Sequence, residues 1–339
     1  MKKSKDKKEK ILVTGGAGYI GCVLVSELVK NNYKVMVLDT FYWGREPLLN
    51  FGKKIEIIHA DIRKVQTEAL KGVSQVIHLA ALSNDPMANF DPETNFQVNF
   101  KATERFAKLC KKAGIRKFIL ASSASIYDRG LSNSNPVQDE NSKVDPKAPY
   151  SLSKFKAERE LLKLTGNNFC PVILRQGTVY GFSPRMRYDL VVNTMVKDAL
   201  SSGKITVYCN GKEYRPLIDI KDVADAYITL LESQEQLVRG ETFNLIYKNY
   251  NILDLARAIK KVLVLEKIAD PKIIIDDAPR KARSYQISGQ KIKNMLGWKP
   301  KVSIEDSIRQ MLKKITKGEY TNFSHPKFYN IEWMKLNFK

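Results

Sequence analysis

The 339-residue chain has only four cysteines and three histidines. Cys22, Cys110, Cys170 and Cys209 are far apart, and no CxxC pair occurs. A zinc site draws its ligands from clustered Cys or His, so no metal is expected, and thiols this sparse give no disulfide framework. Long apolar runs are also missing: nothing approaches the roughly 18 consecutive apolar residues that a membrane span needs. The first ten residues are lysine-rich and lead into ILV, as a secretory signal would. The apolar run then stops at once in GGAGYIG, and no small-residue cleavage site follows. The expectation is a cytoplasmic protein with no membrane partner.

Acidic residues are in short supply, 36 Asp and Glu against 57 Lys and Arg, for a net charge of +21. Six lysines in the first ten residues, set against Asp6 and Glu9, account for +4 of it, and the rest is spread along the chain, notably at 101–117, 257–267 and 279–301. No basic run is interleaved with stacking aromatics and no helix-turn-helix pattern appears. The excess reads as solvated lysine-rich surface, not a nucleic-acid face, though such a surface attracts phosphorylated small molecules.

What is present is a rhythm. Short β-rich runs at 10–14, 34–39, 54–61, 75–81, 116–123 and 169–175 alternate with helical patterns at about 19–31, 63–71, 91–114 and 148–166. Near-continuous Val/Ile/Leu strands separated by helices predict a doubly wound α/β domain, a parallel sheet covered on both faces. Ligands of such sheets bind at the carboxyl ends of the strands. After about residue 179 the pattern changes to a helix at 189–202, a strand, a turn at Asn210-Gly211 and a helix from 221. The run 240–247 is expected to return to the main sheet, with amphipathic helices at 251–264 and 303–318 and a short strand at 272–277. This divides the chain into a basic tail (1–9), a dinucleotide-binding domain (10–178 plus about 219–247), an interleaved smaller α/β region (179–218 plus 248–318) and an extension (319–339).

The stretch ILVTGGAGYIG puts Gly15, Gly18 and Gly21 directly after the first strand and at the start of a helix. Glycines there let backbone N–H groups approach a pyrophosphate, which the helix N-terminus favours. The second strand ends in Asp39, eighteen residues after Gly21. A carboxylate at that place accepts the adenosine ribose hydroxyls and repels a 2′-phosphate, which favours NAD over NADP, although Arg45 lies close by. Asp61 and Ile62, after the third strand, are expected at the adenine edge. The run HLAA (78–81) ends the fourth strand beneath the pyrophosphate and nicotinamide, and His78 within it reads as a core histidine.

Tyr150 and Lys154 stand four apart in APYSLSK, on one face of a helix that Pro149 opens. An ammonium near a phenol favours the phenolate, and a phenol so tuned can take a proton from an alcohol while hydride leaves its carbon. The fifth strand runs out in FILASSASIYD, three serines at its polar edge.

These motifs together (TGGAGYIG, Asp39, HADI, HLAA, SSASIY, PYSLSK and RPLIDIKDVADA) resemble the extended short-chain dehydrogenase/reductase family, in its nucleotide-sugar epimerase/dehydratase branch. The resemblance covers about residues 10–315 and implies a Rossmann-type domain, bound NAD, a UDP-, GDP- or dTDP-linked sugar as substrate, and a homodimer joined through 91–114 and 148–166. It implies Tyr150 as the active-site base, Lys154 as its ribose-binding partner and Ser123 as the hydroxyl that holds the reacting sugar oxygen. Cofactor contacts are implied for Gly15, Gly18, Tyr19, Ile20, Gly21, Asp39, Asp61, Ile62, Leu79, Ala80, Ala81, Tyr150 and Lys154. Ser83, Asn84, Ser123, Thr178, Arg185, Arg215 and Arg283 are implied for the substrate, with Arg280 competing with Arg283 and Arg187 beside Arg185; Tyr180 follows the same strand as Thr178.

Dehydratases of this branch carry Thr-Asp-Glu after that hydroxyl, and decarboxylases a glutamate in the same stretch. Ala124 and Ser125 stand here instead, which leaves redox at a sugar alcohol. Asp128 occupies a place where the family commonly has Gly. The expected activity is epimerisation, at C4 by way of a 4-keto sugar. A net NAD-dependent sugar dehydrogenase or keto-sugar reductase, and a non-catalytic NAD- or RNA-binding member, are the alternatives. The segment FSPRMRYDLVVNTMV (182–196) departs from the UDP-galactose epimerase pattern and leaves the sugar and nucleotide open.

Overall fold

The computed structural model describes residues 9–128, 136–278 and 283–337. Seven of its strands form one sheet and are numbered in chain order within it: β1 (Lys10–Thr14), β2 (Lys34–Asp39), β3 (Ile55–His59), β4 (Gln75–His78), β5 (Lys117–Ser123), β6 (Cys170–Gln176) and β7 (Thr242–Leu245). They lie in the order β7-β6-β5-β4-β1-β2-β3 and every neighbouring pair is parallel. The doubly wound sheet expected from the sequence is present, with the run at 240–247 supplying its last strand.

Pleating sends successive residues to opposite faces, so one strand feeds two cores. Ile11 and Val13 of β1 pack with Cys22, Leu24 and Leu28 of the helix Tyr19–Lys30. Leu12, between them, packs on the other side with Phe106 of the helix Thr103–Lys112 and with Ala157 and Leu161 of the helix Pro149–Leu162. Each fully buried Val, Leu or Ile contributes about 1.5–3 kcal/mol. The chain leaves β1 towards β2 and β3, then returns to place β4 on β1's other side. That reversal opens a crevice at the carboxyl ends of β1 and β4.

Two helical patterns come out differently. Residues 63–71 form only a single tight turn, Thr67–Leu70. The backbone N–H of Arg63 is taken by the Asp61 carboxylate at 2.8 Å and Gln66 is extended, so local side-chain bonding wins over the helix. The pattern at 91–114 is three pieces, Pro92–Phe96, a wider π-type turn Gln97–Ala102, and Thr103–Lys112. Asn95 and Asn99 point from this stretch to the backbone of Leu82, just past β4, and clamp it from both sides.

In the smaller region the strand Tyr214–Asp219, hidden in sequence by Pro216, pairs with Thr178–Tyr180 and Lys248–Asn251. Lys204–Tyr208 pairs with Lys272–Asp276, and helices Val191–Ser202, Ile252–Leu265 and Ile304–Ile315 surround them. The last segment folds back across the molecule. Tyr188 OH donates to the Tyr320 carbonyl at 2.7 Å, and Trp333 of the helix Asn330–Asn337 donates to the Tyr42 carbonyl at 2.5 Å. Met334 of that helix is buried with Leu82 and Met87. Among the described residues no helix is long and apolar enough to cross a membrane.

Candidate active site

β1 turns into its helix through glycines that admit no side chain. Gly15 has φ +71, and a Cβ there would sit 2.8 Å from the Ala80 nitrogen; a Cβ on Gly21 would sit 2.2 Å from the Gly15 carbonyl oxygen. Gly18 heads the helix without any side-chain cap and no acidic residue occupies its first turn, so the N–H groups of this end are left for an anion. At the end of β2, Asp39 accepts from Ala17 N at 2.9 Å and Phe41 N at 2.8 Å. Burial pushes this carboxyl up against those bonds. Two amides hold it in place, and its remaining lone pairs suit a ribose diol. A glycine cradle that a Cβ would fill, closed by such a carboxylate, fits an adenine dinucleotide.

One cleft gathers every residue expected at the cofactor: Gly15, Gly18, Tyr19, Ile20, Gly21, Asp39, Asp61, Ile62, Leu79, Ala80, Ala81, Tyr150 and Lys154. Ser83 and Arg185, expected at the substrate, line the same cleft. Asn84, Ser123, Thr178, Arg215 and Arg283 are not among its lining residues. Asn84 has φ 92 and spends its side-chain oxygen on Met87 N, capping the helix Asp85–Phe90. Thr178 is half-buried in the strand paired with Leu217. Arg280 lies outside the described residues.

At the other end of the cleft stands the Tyr150 phenol, with the Ser123 hydroxyl near enough to favour its ionised form. Ser123 Oγ donates to Ser125 Oγ at 2.9 Å and accepts from Ser125 N at 3.1 Å, so the serine heading the turn Ala124–Tyr127 is held on two sides. The Lys154 ammonium donates to the Ala121 carbonyl at 2.9 Å. Burial brings it down to about 8, with Glu158 opposing. The expected lowering of the tyrosine by Lys154 is not what the structure shows. Tyr150 is pushed up to about 12, by burial first and by Asp85 next, with Ser123 and Arg187 pulling the other way. A desolvated phenolate is costly, and the one ammonium on its helix face is committed to a backbone carbonyl.

Asp85 is the residue that sequence reasoning missed, although its neighbour Asn84 was singled out. Arg283 bridges it to Asp128, with Nη2 2.5 Å from Asp85 and Nε 2.8 Å from Asp128. Arg215 stands near, its guanidinium 6.0 Å over the Tyr285 ring. Arg215, Arg283, Asp85 and Asp128 therefore gather around Tyr285, and Tyr285 and Asp85 in turn act on Tyr150. Removing the Asp85 charge stabilises the phenolate, so Asp85→Asn is expected to move the ascending limb of the kcat–pH profile, along which Tyr150 loses its proton, to lower pH. A profile unchanged from wild type would refute the coupling.

Beneath the serines, Ser122 donates to the buried Glu158 carboxylate, which pairs with Arg175 at 2.7 Å. Ser122 is thus tied into the helix Pro149–Leu162. His78 lies between Thr14 (2.7 Å) and Thr103 (2.9 Å), and burial lowers it to about 3. It is a neutral core histidine.

A doubly wound sheet, a glycine cradle with its ribose carboxylate, and Tyr150 and Lys154 at the far end of one cleft with Ser123 beside the tyrosine define an extended short-chain dehydrogenase/reductase. The chain belongs to the NAD dependent epimerase/dehydratase family, whose model matches residues 11–245. It is 31% identical over 310 residues to a Methanocaldococcus jannaschii protein assigned by name as a UDP-glucose 4-epimerase, covering 89% of this chain and 97% of that one. It is 28% identical over 327 residues to UDP-glucuronic acid decarboxylase 1 of Arabidopsis thaliana, covering 90% of this chain and 69% of the plant protein. Among solved structures it is similar to the UDP-N-acetylglucosamine 4-epimerase of Methanobrevibacter ruminantium M1, with a TM-score of 0.81, 26% identity, and 91% and 99% of the two chains covered. It is likewise similar to the Bacillus cereus UDP-glucuronic acid 4-epimerase solved with UDP-glucuronic acid and NAD, with a TM-score of 0.77, 26% identity, and the same shares covered. NAD is the cofactor of this enzyme.

Proposed function

We propose that the chain is a UDP-sugar 4-epimerase. The observation that carries this reading is a Tyr150–Ser123 hydroxyl pair at the end of the NAD cleft, with no acid or base in Ser123-Ala124-Ser125. Elimination and decarboxylation chemistry call for a carboxyl group free to act beside the sugar. Asp85, which acts on Tyr150, and Asp128 are both engaged by Arg283.

Ser123 holds the sugar C4 hydroxyl by a hydrogen bond and Tyr150 removes its proton. NAD held in the cleft would supply a reversible hydride acceptor for C4, and between the two transfers the hydride would reside on it. The sugar is then a 4-keto sugar, whose carbonyl oxygen stays within reach of both hydroxyls. Rotation of the sugar presents its other face, and Tyr150 gives the proton back to the oxygen as C4 is reduced. No net oxidant is consumed. Arg215 and Arg283 are the chain's candidates for the sugar nucleotide's phosphates; both lie by Tyr285, and bidentate guanidinium geometry suits the task. Residues 10–178 with about 219–247 are the NAD-binding unit, and 179–218 with 248–318 supply the sugar-nucleotide side.

The test is to incubate purified enzyme separately with UDP-glucose, UDP-N-acetylglucosamine and UDP-glucuronic acid. The C4 epimer of at least one, with no accumulation of reduced nicotinamide, is the expected result. Release of carbon dioxide with a UDP-pentose, or steady build-up of NADH, would replace the reading by decarboxylase or dehydrogenase.

A further inference from the structure

Arg185 and Arg187 both line the cleft and are both buried, at 6% exposure each, yet their charges are met differently. Arg187 grips Asp189 with two bonds, 2.8 and 2.9 Å, and reaches Ser83 at 3.3 Å. Among the described residues Arg185 has no carboxylate partner. Its Nη2 donates to the side-chain oxygen of Asn330 at 2.6 Å, its guanidinium lies 5.0 Å over the Trp43 ring, and its Nε has no hydrogen-bond partner. Asp189, the nearest anion, is spent on Arg187 and on Asn330 N. A buried cation left in this condition is costly unless a ligand brings the missing anion. Burial and the neighbouring Arg187 accordingly bring Arg185 down to about 9.

Its position says which anion. The segment that carries it is tied to the first turn of the helix after the glycine loop. Tyr19 OH donates to the Gly181 carbonyl and Ser183 Oγ to the Tyr19 carbonyl, both at 2.7 Å. On one side Arg185 stacks on Trp43, four residues beyond Asp39 at the ribose end. On the other, Asn330 carries the contact to Ser83 at 3.2 Å, just past the Leu79–Ala81 run that leads to the nicotinamide end. The link between the two nucleosides of NAD must pass between these points.

We infer that Arg185 is a ligand of the NAD pyrophosphate, facing the glycine-loop N–H groups across the cleft, and that Asn330 of the C-terminal segment is the residue that positions it. This moves Arg185 from the substrate side to the cofactor side. It uses a segment, 319–337, that had no role in the sequence reading. The inference rests on NAD binding and not on which sugar reacts, so it stands or falls separately from the epimerase reading.

The test follows bound NAD in the holoenzyme. Arg185→Met, Arg185→Lys and Asn330→Ala are purified in parallel with wild type. NAD per chain is counted after acid release, exchange against labelled NAD gives the dissociation rate, and calorimetry gives UDP affinity. Loss of one charge-assisted contact predicts exchange at least about tenfold faster in Arg185→Met, with substoichiometric NAD. Arg185→Lys should recover part of the retention, because it restores the charge without the planar fork. Asn330→Ala should lie between wild type and Arg185→Met, and UDP affinity should be unchanged in all three. Wild-type NAD retention in Arg185→Met would overturn the inference. Weakened UDP binding with retained NAD would do the same and return Arg185 to the substrate side. If Arg185→Met does not fold, Asn330→Ala with wild-type exchange is sufficient to refute it.

Discussion

Tyr150→Phe is expected to lower kcat by about 100- to 10,000-fold, the range that a positioned proton-transfer group supplies, with NAD still bound and little change in KM. The tyrosine is half-buried in the cleft lining, so removing its oxygen takes away the group beside Ser123 and leaves the packing intact. The loss should fall on kcat and kcat/KM alike, because the oxygen works on a proton in flight and not on the resting sugar. The proton has no equivalent route. Lys154 is held at the Ala121 carbonyl 2.9 Å away, and Ser123 is occupied with the Ser125 hydroxyl and amide. A stopped-time assay of C4 exchange, alongside NAD content and a thermal melt, checks the expectation. Activity within tenfold of wild type would show that another group moves the proton.

The same phenol shows how far the sequence could be read. Most strands were legible because β1, β2, β4, β5 and β6 are runs rich in Val, Ile and Leu whose burial on both faces leaves no alternation to misread, whereas β3, at the sheet edge, is largely exposed. The glycine loop, Asp39 and the Tyr150–Lys154 pair were legible because each depends on a local spacing. What escaped reading depends on distant parts of the chain meeting. The tyrosine's environment is set by Asp85 and Arg187, 65 residues before and 37 after it, and no spacing rule registers burial of that kind. The expectation that Lys154 lowers it failed because the lysine's carbonyl partner is on another element. The helix expected at 63–71 gave way to one local carboxylate. The strand Tyr214–Asp219 was masked by Pro216, which a short three-stranded sheet tolerates. The C-terminal segment did carry a signal, six aromatics at Tyr320, Phe323, Phe328, Tyr329, Trp333 and Phe338. Such density in a closing segment points to packing, but it does not say against what; Arg185 and Asn330 are 145 residues apart.

Glu158→Leu is expected to cost about 3–5 kcal/mol of stability, the largest structural effect of any single change considered. Glu158 is 1% exposed and sits one turn past Lys154 on the helix Pro149–Leu162. It holds Arg175 of β6 through Nη2 at 2.7 Å and Nε at 3.1 and 3.2 Å, and it accepts from Ser122 at the end of β5. Arg175 in turn donates to the Tyr127 hydroxyl at 2.7 Å, which donates to Asn244 of β7 at 2.8 Å. The network therefore fastens one helix to three adjacent strands directly beneath Ser123 and Lys154. Without the carboxylate, a guanidinium 7% exposed keeps only a phenol for company. Glu158→Leu combined with Arg175→Met should recover most of the loss, since removing both charges leaves no uncompensated ion. Thermal and urea melts of the holoenzymes measure both steps. The double variant also separates the two jobs of Glu158. Its charge supports the Lys154 ammonium against burial, so without it the lysine drops below about 8 and is less protonated at any given pH. Stability should return in the double variant while activity near neutral pH does not, and recovery of both together would mean that Glu158 serves the fold alone.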